Sequence, residues 1–176
     1  DTDEKNGTCV EFIPDNDPKI FCNYNYLDEY VEKMIWNYAY LNKGLALFYN
    51  DKKIQSKKGL FDLLNNSLQE NESLYPIIHL SAGSFEFAFT HSDKVFTEEH
   101  YSFVNGQHTT QGGTHQSAFR EALVKVLKDF FKKDYDPSDI RSGLVASISL
   151  RINEPVFESQ TKTKLGSTNM MPDGSG

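Results

Sequence analysis

Gln160, Lys162 and Lys164 stand together in the stretch EPVFESQTKTKLGS (154–167), directly after a run of strand-forming residues, in a chain whose formal charge is −7. The amide of Gln160 offers both a donor and an acceptor, and the Lys162 ammonium is a compact point charge on a flexible stem. Such a pair on a loop suits a terminal phosphate, because a hydrogen bond to an ionised group is about twice as strong as a neutral one. A solvated surface loop accounts for the same residues, and chemistry alone leaves both readings open. A second candidate is QGGTH (111–115), which precedes a long helical pattern. Its backbone N–H groups could cradle a phosphate at the helix N-terminus. Alternatively, Gly112 and Gly113 provide a tight strand-to-helix turn and Thr114 caps the helix. On that helix, at about 100° per residue, Phe119, Leu123, Val126, Leu127 and Phe130 form an apolar stripe with Glu121, Lys125 and Lys128 opposite. Arg120 falls at the border of the stripe. It is either a snorkelling side chain whose stem covers apolar surface, or a guanidinium bordering a cavity where it meets phosphate.

The remaining chemistry is sparse. Five histidines, at 79, 91, 100, 108 and 115, show no metal-ligand spacing, no HExxH occurs, and no GxSxG supports a serine hydrolase. Cys9 and Cys22 are too few for a disulfide framework; they are expected as small buried or half-buried thiols in a reducing, cytoplasmic setting. No apolar run approaches the roughly 18–20 residues a membrane span needs, and DTDEKNGTCV reads as neither a signal nor a transit peptide. With 176 residues, 38% hydrophobic and 24% charged, the composition is that of an ordinary globular chain large enough to bury a core. The acidic balance argues against binding nucleic acid over the whole surface but leaves room for a local basic lining.

Hydrophobic periodicity supplies the elements that must position these residues. TCVEFI (8–13) alternates as a short strand, and PDNDP turns the chain. Leu27, Tyr30, Val31, Met34, Ile35, Tyr38 and Leu41 mark an amphipathic helix that should stop by Gly44. LALFY (45–49) reads as a strand, NDKK as a turn, and GLFDLLNNSL (59–68) as a short helix. Strands are expected at 77–81, 84–91 and 100–105, the middle one turning Phe85, Phe87 and Phe89 inward and Glu86 and Ala88 outward. The helix at about 114–132 ends at DYDPSD, a strand follows at 142–152, and NMMPDGSG closes the chain as loop. The order predicts an α+β or α/β-type layered fold, with helices laid on a mixed sheet and a boundary near NDKKIQSKK (50–58).

QGGTHQSAFREAL and, some forty residues later, PVFESQTKTKLGS closely resemble the B subunits of bacterial type IIA DNA topoisomerases, and GTCVEFIPD and YAYLNKGLALFYND match the same family in the same order. The resemblance covers nearly the whole chain. Gln111, where gyrase usually carries an acidic residue, is more similar to topoisomerase IV; a gyrase B subunit is the alternative, and another GHKL ATPase such as a mismatch-repair protein a more distant one. The resemblance implies that residues 1–56 are the last strand–helix–strand of a GHKL ATPase domain and that 57–176 form a transducer domain with a ribosomal protein S5 domain 2-like fold. The family's water-activating Glu, Mg²⁺-holding Asn and glycine-rich lid are expected upstream. The fragment is therefore expected to be inactive in ATP hydrolysis by itself and to bind neither ATP nor Mg²⁺ alone.

Residue by residue, the resemblance implies that Lys162 contacts the ATP γ-phosphate with Gln160 beside it. It also implies that Thr8 lies at the adenine end of the pocket and that Arg120 lines the cavity through which a transported DNA duplex passes. Lys164 takes no implied role. For the complete protein, the implied function is coupling ATP binding and hydrolysis to gate closure and DNA passage through a double-strand break. Implied partners are a second copy of the same protein, the topoisomerase A chain in an A2B2 assembly, and DNA, in the cytoplasm and away from membranes.

Overall fold

Seven short strands and four helices follow one another among the described residues, 6–15, 17–22, 24–68 and 72–168, of the computed structural model. They are α1 (Asp28–Leu41), β1 (Leu47–Tyr49), β2 (Lys52–Ile54), α2 (Leu60–Ser67), β3 (Ile78–Ala82) and β4 (Phe85–His91). After these come β5 (Glu99–Val104), β6 (Gln107–His108), α3 (Thr114–Phe131), α4 (Pro137–Arg141) and β7 (Leu144–Leu150). β1 and β2 pair as a separate hairpin, and the other strands form one sheet in the order β3-β4-β7-β5-β6. β5 runs parallel to β7 and every other neighbouring pair is antiparallel. A parallel neighbour needs a long crossover, and α3 with α4 is that crossover. The expected mixed sheet of an α+β fold is present, and the main helices and strands lie within a residue or two of their expected spans.

Both faces of the sheet are covered, because the central strand β7 is apolar on both. Leu144, Ala146 and Ile148 pack with Phe119 and Leu123 of α3. Val145 packs with Ala88, Phe103, Leu60, Leu63, Leu64 and Tyr40 on the α1–α2 side. Cross-strand register places Phe87 against Ile148 and Ala88 against Ser147. The expected outward face of β4 is thus corrected: Ala88 is fully buried, packed with Leu60, Leu63 and Leu64 of α2, while Phe85, Phe87 and Phe89 are half-buried toward α3. Alternation marks two faces; it does not say that only one is covered. Glu86, also expected outward, accepts from the Leu60 N–H at 3.4 Å and pairs with Lys43 at 3.0 Å and His79 at 2.9 Å, fastening α2 and the end of α1 to β4.

Other expectations on local structure also change. TCVEFI (8–13) is not a strand: it has no ladder partner among the described residues, and Val10 and Ile13 are 80% and 92% exposed. A strand needs a neighbour to satisfy its backbone. α1 buries Ala39 and Tyr40, with Trp36 stacked on Tyr40, and leaves Tyr30, Met34 and Tyr38 of the expected stripe exposed. Cys9 and Cys22 are exposed free thiols, not buried ones. α4 is an element that periodicity does not reveal. Within DYDPSD the Asp136 carboxylate accepts from the Ser138 N–H at 2.7 Å and Pro137 supplies a preset first helical φ, so the segment read as a helix stop also starts a new helix. β6 and the pairing of Lys52–Ile54 with β1 are likewise additions. The closing NMMPDGSG lies outside the described residues.

Candidate functional site

The two motifs singled out in the sequence meet in space. After β7 the chain runs to Phe157, turns at 159–162, and returns to Leu165, where Phe157 and Leu165 bridge antiparallel. The Glu158 N–H donates to the Lys164 carbonyl (3.1 Å), the Lys162 N–H to Ser159 (3.0 Å) and the Gly166 N–H to Val156 (2.8 Å), making a hairpin with Gln160 to Lys162 at its tip. The returning limb docks on the turn before α3. The Gln111 N–H donates to Thr163 (2.9 Å), the Leu165 N–H to Gly112 (3.0 Å) and the Thr114 N–H to Leu165 (3.1 Å). Leu165 is fully buried against Val104, Leu150 and Ile152.

QGGTH makes the tight turn into α3 expected of Gly112 and Gly113, both at positive φ, with Gly113 rather than Thr114 at the cap position, and it also receives the hairpin. The turn is a slot for the hairpin: the Gln111 and Thr114 N–H groups and the Gly112 carbonyl bond residues 163–165, and the Gly112 N–H bonds Thr109. α3 starts after Gly113, and the Thr114 hydroxyl donates to the Ser167 carbonyl at 2.6 Å. Gly113 has φ +135°, and a Cβ there would sit 2.3 Å from the Leu165 oxygen. The glycine is required by close approach as well as by conformation.

At the tip, Gln160 and Lys162 are exposed, and the Lys162 ammonium has no ion-pair partner among the described residues. Lys162 adopts φ +55°, a left-handed conformation unusual for a residue with a side chain. Such strain persists where surrounding structure over-determines it, often at ligand contacts. Lys164, by contrast, is paired with Glu158 at 2.9 Å.

Arg120 occupies a built site. Its Nε and Nη2 donate to Glu98 Oε2 (2.7 Å) and Oε1 (2.6 Å), a two-pronged arrangement. Arg141 Nε donates to the same Oε1 at 3.0 Å, and His100 Nε2 lies 3.0 Å from Oε2. Burial alone would raise the Glu98 carboxyl, but hydrogen bonds from Arg120, His100 and Arg141 and the Arg120 charge outweigh it and hold it at about 2. An ionised carboxylate only accepts, so His100 Nε2 carries the hydrogen here. The apolar stripe of α3 is rotated from expectation. Phe119, Leu123 and Val124 are buried while Val126 and Phe130 are exposed, so Arg120 lies within the buried arc rather than at its border. The sequence gives no sign of Glu98 or Arg141: Glu98 lies 22 residues from Arg120 and 43 from Arg141, and no local pattern connects them.

A cleft of about 520 Å³ brings Arg120 together with Lys164, Glu158, Gln111 and Thr114. Thr8, Gln160 and Lys162 do not line it. Thr8 sits on the exposed 6–15 segment. Beneath the slot, His115 is buried, with Nε2 on the Ser102 hydroxyl, which also meets Thr109 at 2.6 Å. Burial lowers its pKa to about 4, so the ring is neutral. Among the described residues no cluster of His, Cys, Asp or Glu could hold a metal ion, and no helix is long and apolar enough to cross a membrane.

A family model described as DNA gyrase B matches residues 26–172. Over 163 residues the chain is 48% identical to the B subunit of DNA topoisomerase 4 from Borreliella burgdorferi, a match covering 93% of this chain and 27% of that protein. It is 33% identical to the B subunit of DNA gyrase from Clostridium acetobutylicum over 191 residues, 97% of this chain and 29% of that one. In structure it is similar to the ATPase region of Saccharomyces cerevisiae topoisomerase II, with a TM-score of 0.66 and 26% identity over 78% of this chain and 35% of that one. The chain thus spans less than a third of the length of these curated relatives. The family model spans most of the chain, and both of these bacterial relatives exceed 30% identity over more than nine tenths of it: the chain belongs to the DNA gyrase B family.

Proposed function

We propose that this chain is the nucleotide-sensing and coupling segment of a topoisomerase IV B protein, part of an ATP-dependent type II DNA topoisomerase. Residues 1–56 are the tail of its GHKL ATPase domain and 57–176 its transducer, with the S5 domain 2-like fold. The 48% identity to a topoisomerase 4 relative, against 33% to a gyrase relative, supports topoisomerase IV over gyrase. The exposed apolar residues Val10, Ile13, Tyr30 and Met34 suit a first segment that packs against further ATPase-domain structure.

One observation carries the reading. A lysine without an ion-pair partner among the described residues, held in a strained backbone, tips a hairpin whose base is hydrogen-bonded to the start of the helix that bears Arg120. That arrangement fits an anionic partner for Lys162. ATP supplies one when bound, a terminal phosphoryl group. Lys162 and Gln160 fit that group, and among the described residues no cluster of His, Cys, Asp or Glu could hold a metal ion. Lys162 then holds the hairpin toward the nucleotide, Gln160 adds an amide contact, and Thr8 contributes at the adenine end. The hairpin is tied to the 111–114 turn, so a pull on its tip is felt at α3. When the terminal phosphoryl group leaves, Lys162 loses its partner and the two domains are free to reorient.

Such a latch acts only through differential affinity, and moving a population from 1:99 to 99:1 takes about 5.5 kcal/mol. A hydrogen bond to a charged group contributes about 1.5–3 kcal/mol, so Lys162 is one of several contributors; Gln160 and association with a second copy of the protein supply the rest. Partners on this reading are that second copy, the topoisomerase A chain in an A2B2 assembly, and a DNA duplex passing Arg120, all in the cytoplasm. The test is Lys162→Ala in the complete protein assembled with its A partner. ATP-dependent strand passage should fall at least tenfold while the thermal midpoint holds. Unchanged strand passage removes Lys162 from the mechanism.

A further inference from the structure

Arg120 and Arg141 reach one carboxylate from different elements. Arg120 is on the first half of α3, Arg141 closes α4, and Glu98 immediately precedes β5. Around His100 the cluster holds two guanidinium cations and one carboxylate. Glu98 accepts from both guanidinium groups and from His100, yet each guanidinium keeps further N–H donors with no hydrogen-bond partner among the described residues. Exposure is graded: the His100 side chain is 7% exposed, Glu98 20%, Arg141 23% and Arg120 37%. Arg120 is the most exposed of the four, and Glu98 and Arg141 are exposed to a similar degree. Arg120 opens on the cleft shared with Lys164, and Arg141 on a neighbouring one of about 550 Å³ that Glu98, Ser138 and Asp139 also line.

A planar fork with spare donors, pinned at one edge by a carboxylate and open at the other, is the arrangement that recognises a phosphodiester. We propose that Arg141 is a second phosphate contact for the passing duplex, and that Glu98 is a positioning residue that orients both guanidinium groups and offsets part of their charge. This rests on the reading of Arg120 as a wall of the DNA passage. Offsetting charge matters for a duplex that must pass rather than stay, because each neutralised phosphate adds about 0.9 to the slope of log affinity against log salt.

The test uses the complete protein with a short linear duplex, titrated over a salt series, for Arg120→Gln, Arg141→Gln, Arg141→Lys and Glu98→Gln. Arg141→Gln should make the slope shallower by about one, and Arg141→Lys, which keeps the charge, should leave it near the parent value. Glu98→Gln, nearly isosteric, should steepen the slope by about one while lowering DNA-stimulated ATP hydrolysis, since the guanidinium groups are no longer oriented. A purely structural Glu98 would move the thermal midpoint and leave the slope alone. Should Arg141→Gln unfold, Glu98→Gln decides by itself. A slope changed by Arg120→Gln but by neither Arg141→Gln nor Glu98→Gln overturns this proposal and spares the reading beneath it. A slope unchanged by Arg120→Gln overturns that reading, and the proposal with it.

Discussion

Gly113→Ala tests whether the hairpin is held by the turn before α3. The added Cβ would lie 2.3 Å from the Leu165 oxygen and 2.5 Å from its nitrogen. Both are backbone atoms, so the hairpin itself must retreat. Three backbone hydrogen bonds tie residues 163–165 to 111–114, each contributing about 1 kcal/mol net. The fully buried Leu165 side chain adds about 1.5–3 kcal/mol. Losing two of the bonds and half of that burial costs about 3 kcal/mol, which is about a hundredfold in the ratio of docked to undocked hairpin. Amide hydrogen exchange on the complete protein reads this directly, because local opening sets protection. Peptides covering 155–168 should lose about a hundredfold in protection, while β4 and β7 stay as they were. Gly83→Ala is the control: Gly83 also has positive φ, +57°, but nothing lies within 4 Å of an added Cβ. It carries the conformational strain without the collision and should leave 155–168 unaffected. Unchanged protection at Leu165 in Gly113→Ala would refute the docking argument.

Two acid-limb predictions follow from titrating groups held away from their ordinary values. Glu98 is held at about 2 against an ordinary 4.5; a depressed carboxyl contributes stability that is full above its unfolded value and lost as pH falls through the folded one. That contribution, on the order of 2 kcal/mol after solvent screening, should disappear between about pH 4.5 and 2 and be absent in Glu98→Gln, as followed by denaturant titration. His115, lowered from 6.5 to about 4, resists protonation in the folded state. Stability should therefore decline as pH falls from about 6.5 to 4, by on the order of 3 kcal/mol, and His115→Asn should flatten that decline. A limb identical to the parent's in either variant contradicts the corresponding assignment.

Periodicity locates α1, α2, α3 and the main strands because their apolar residues repeat at helical or strand spacing. It misjudges faces wherever coverage comes from elsewhere in the chain. Ala88 reads as outward although α2 covers it, and Tyr30 and Met34 read as inward although α1 buries Ala39 and Tyr40 instead. TCVEFI has the alternation of a strand but no ladder partner among the described residues. The chemistry of Gln160, Lys162 and Arg120 is legible as residue types, and their proposed roles come from resemblance. What neither supplies is the non-local wiring. The slot formed by Gly112, Gly113 and Thr114 for Leu165, and the carboxylate of Glu98 between two arginines, join residues dozens of positions apart through geometry alone.

The most direct test is the position of the Lys162 ammonium in a complex of the complete protein with a non-hydrolysable triphosphate. A nitrogen about 2.7–2.9 Å from an oxygen of the terminal phosphoryl group is expected, with the hairpin still docked on α3. A Lys162 side chain directed into bulk water, with that phosphoryl group held by other residues, would contradict the coupling mechanism.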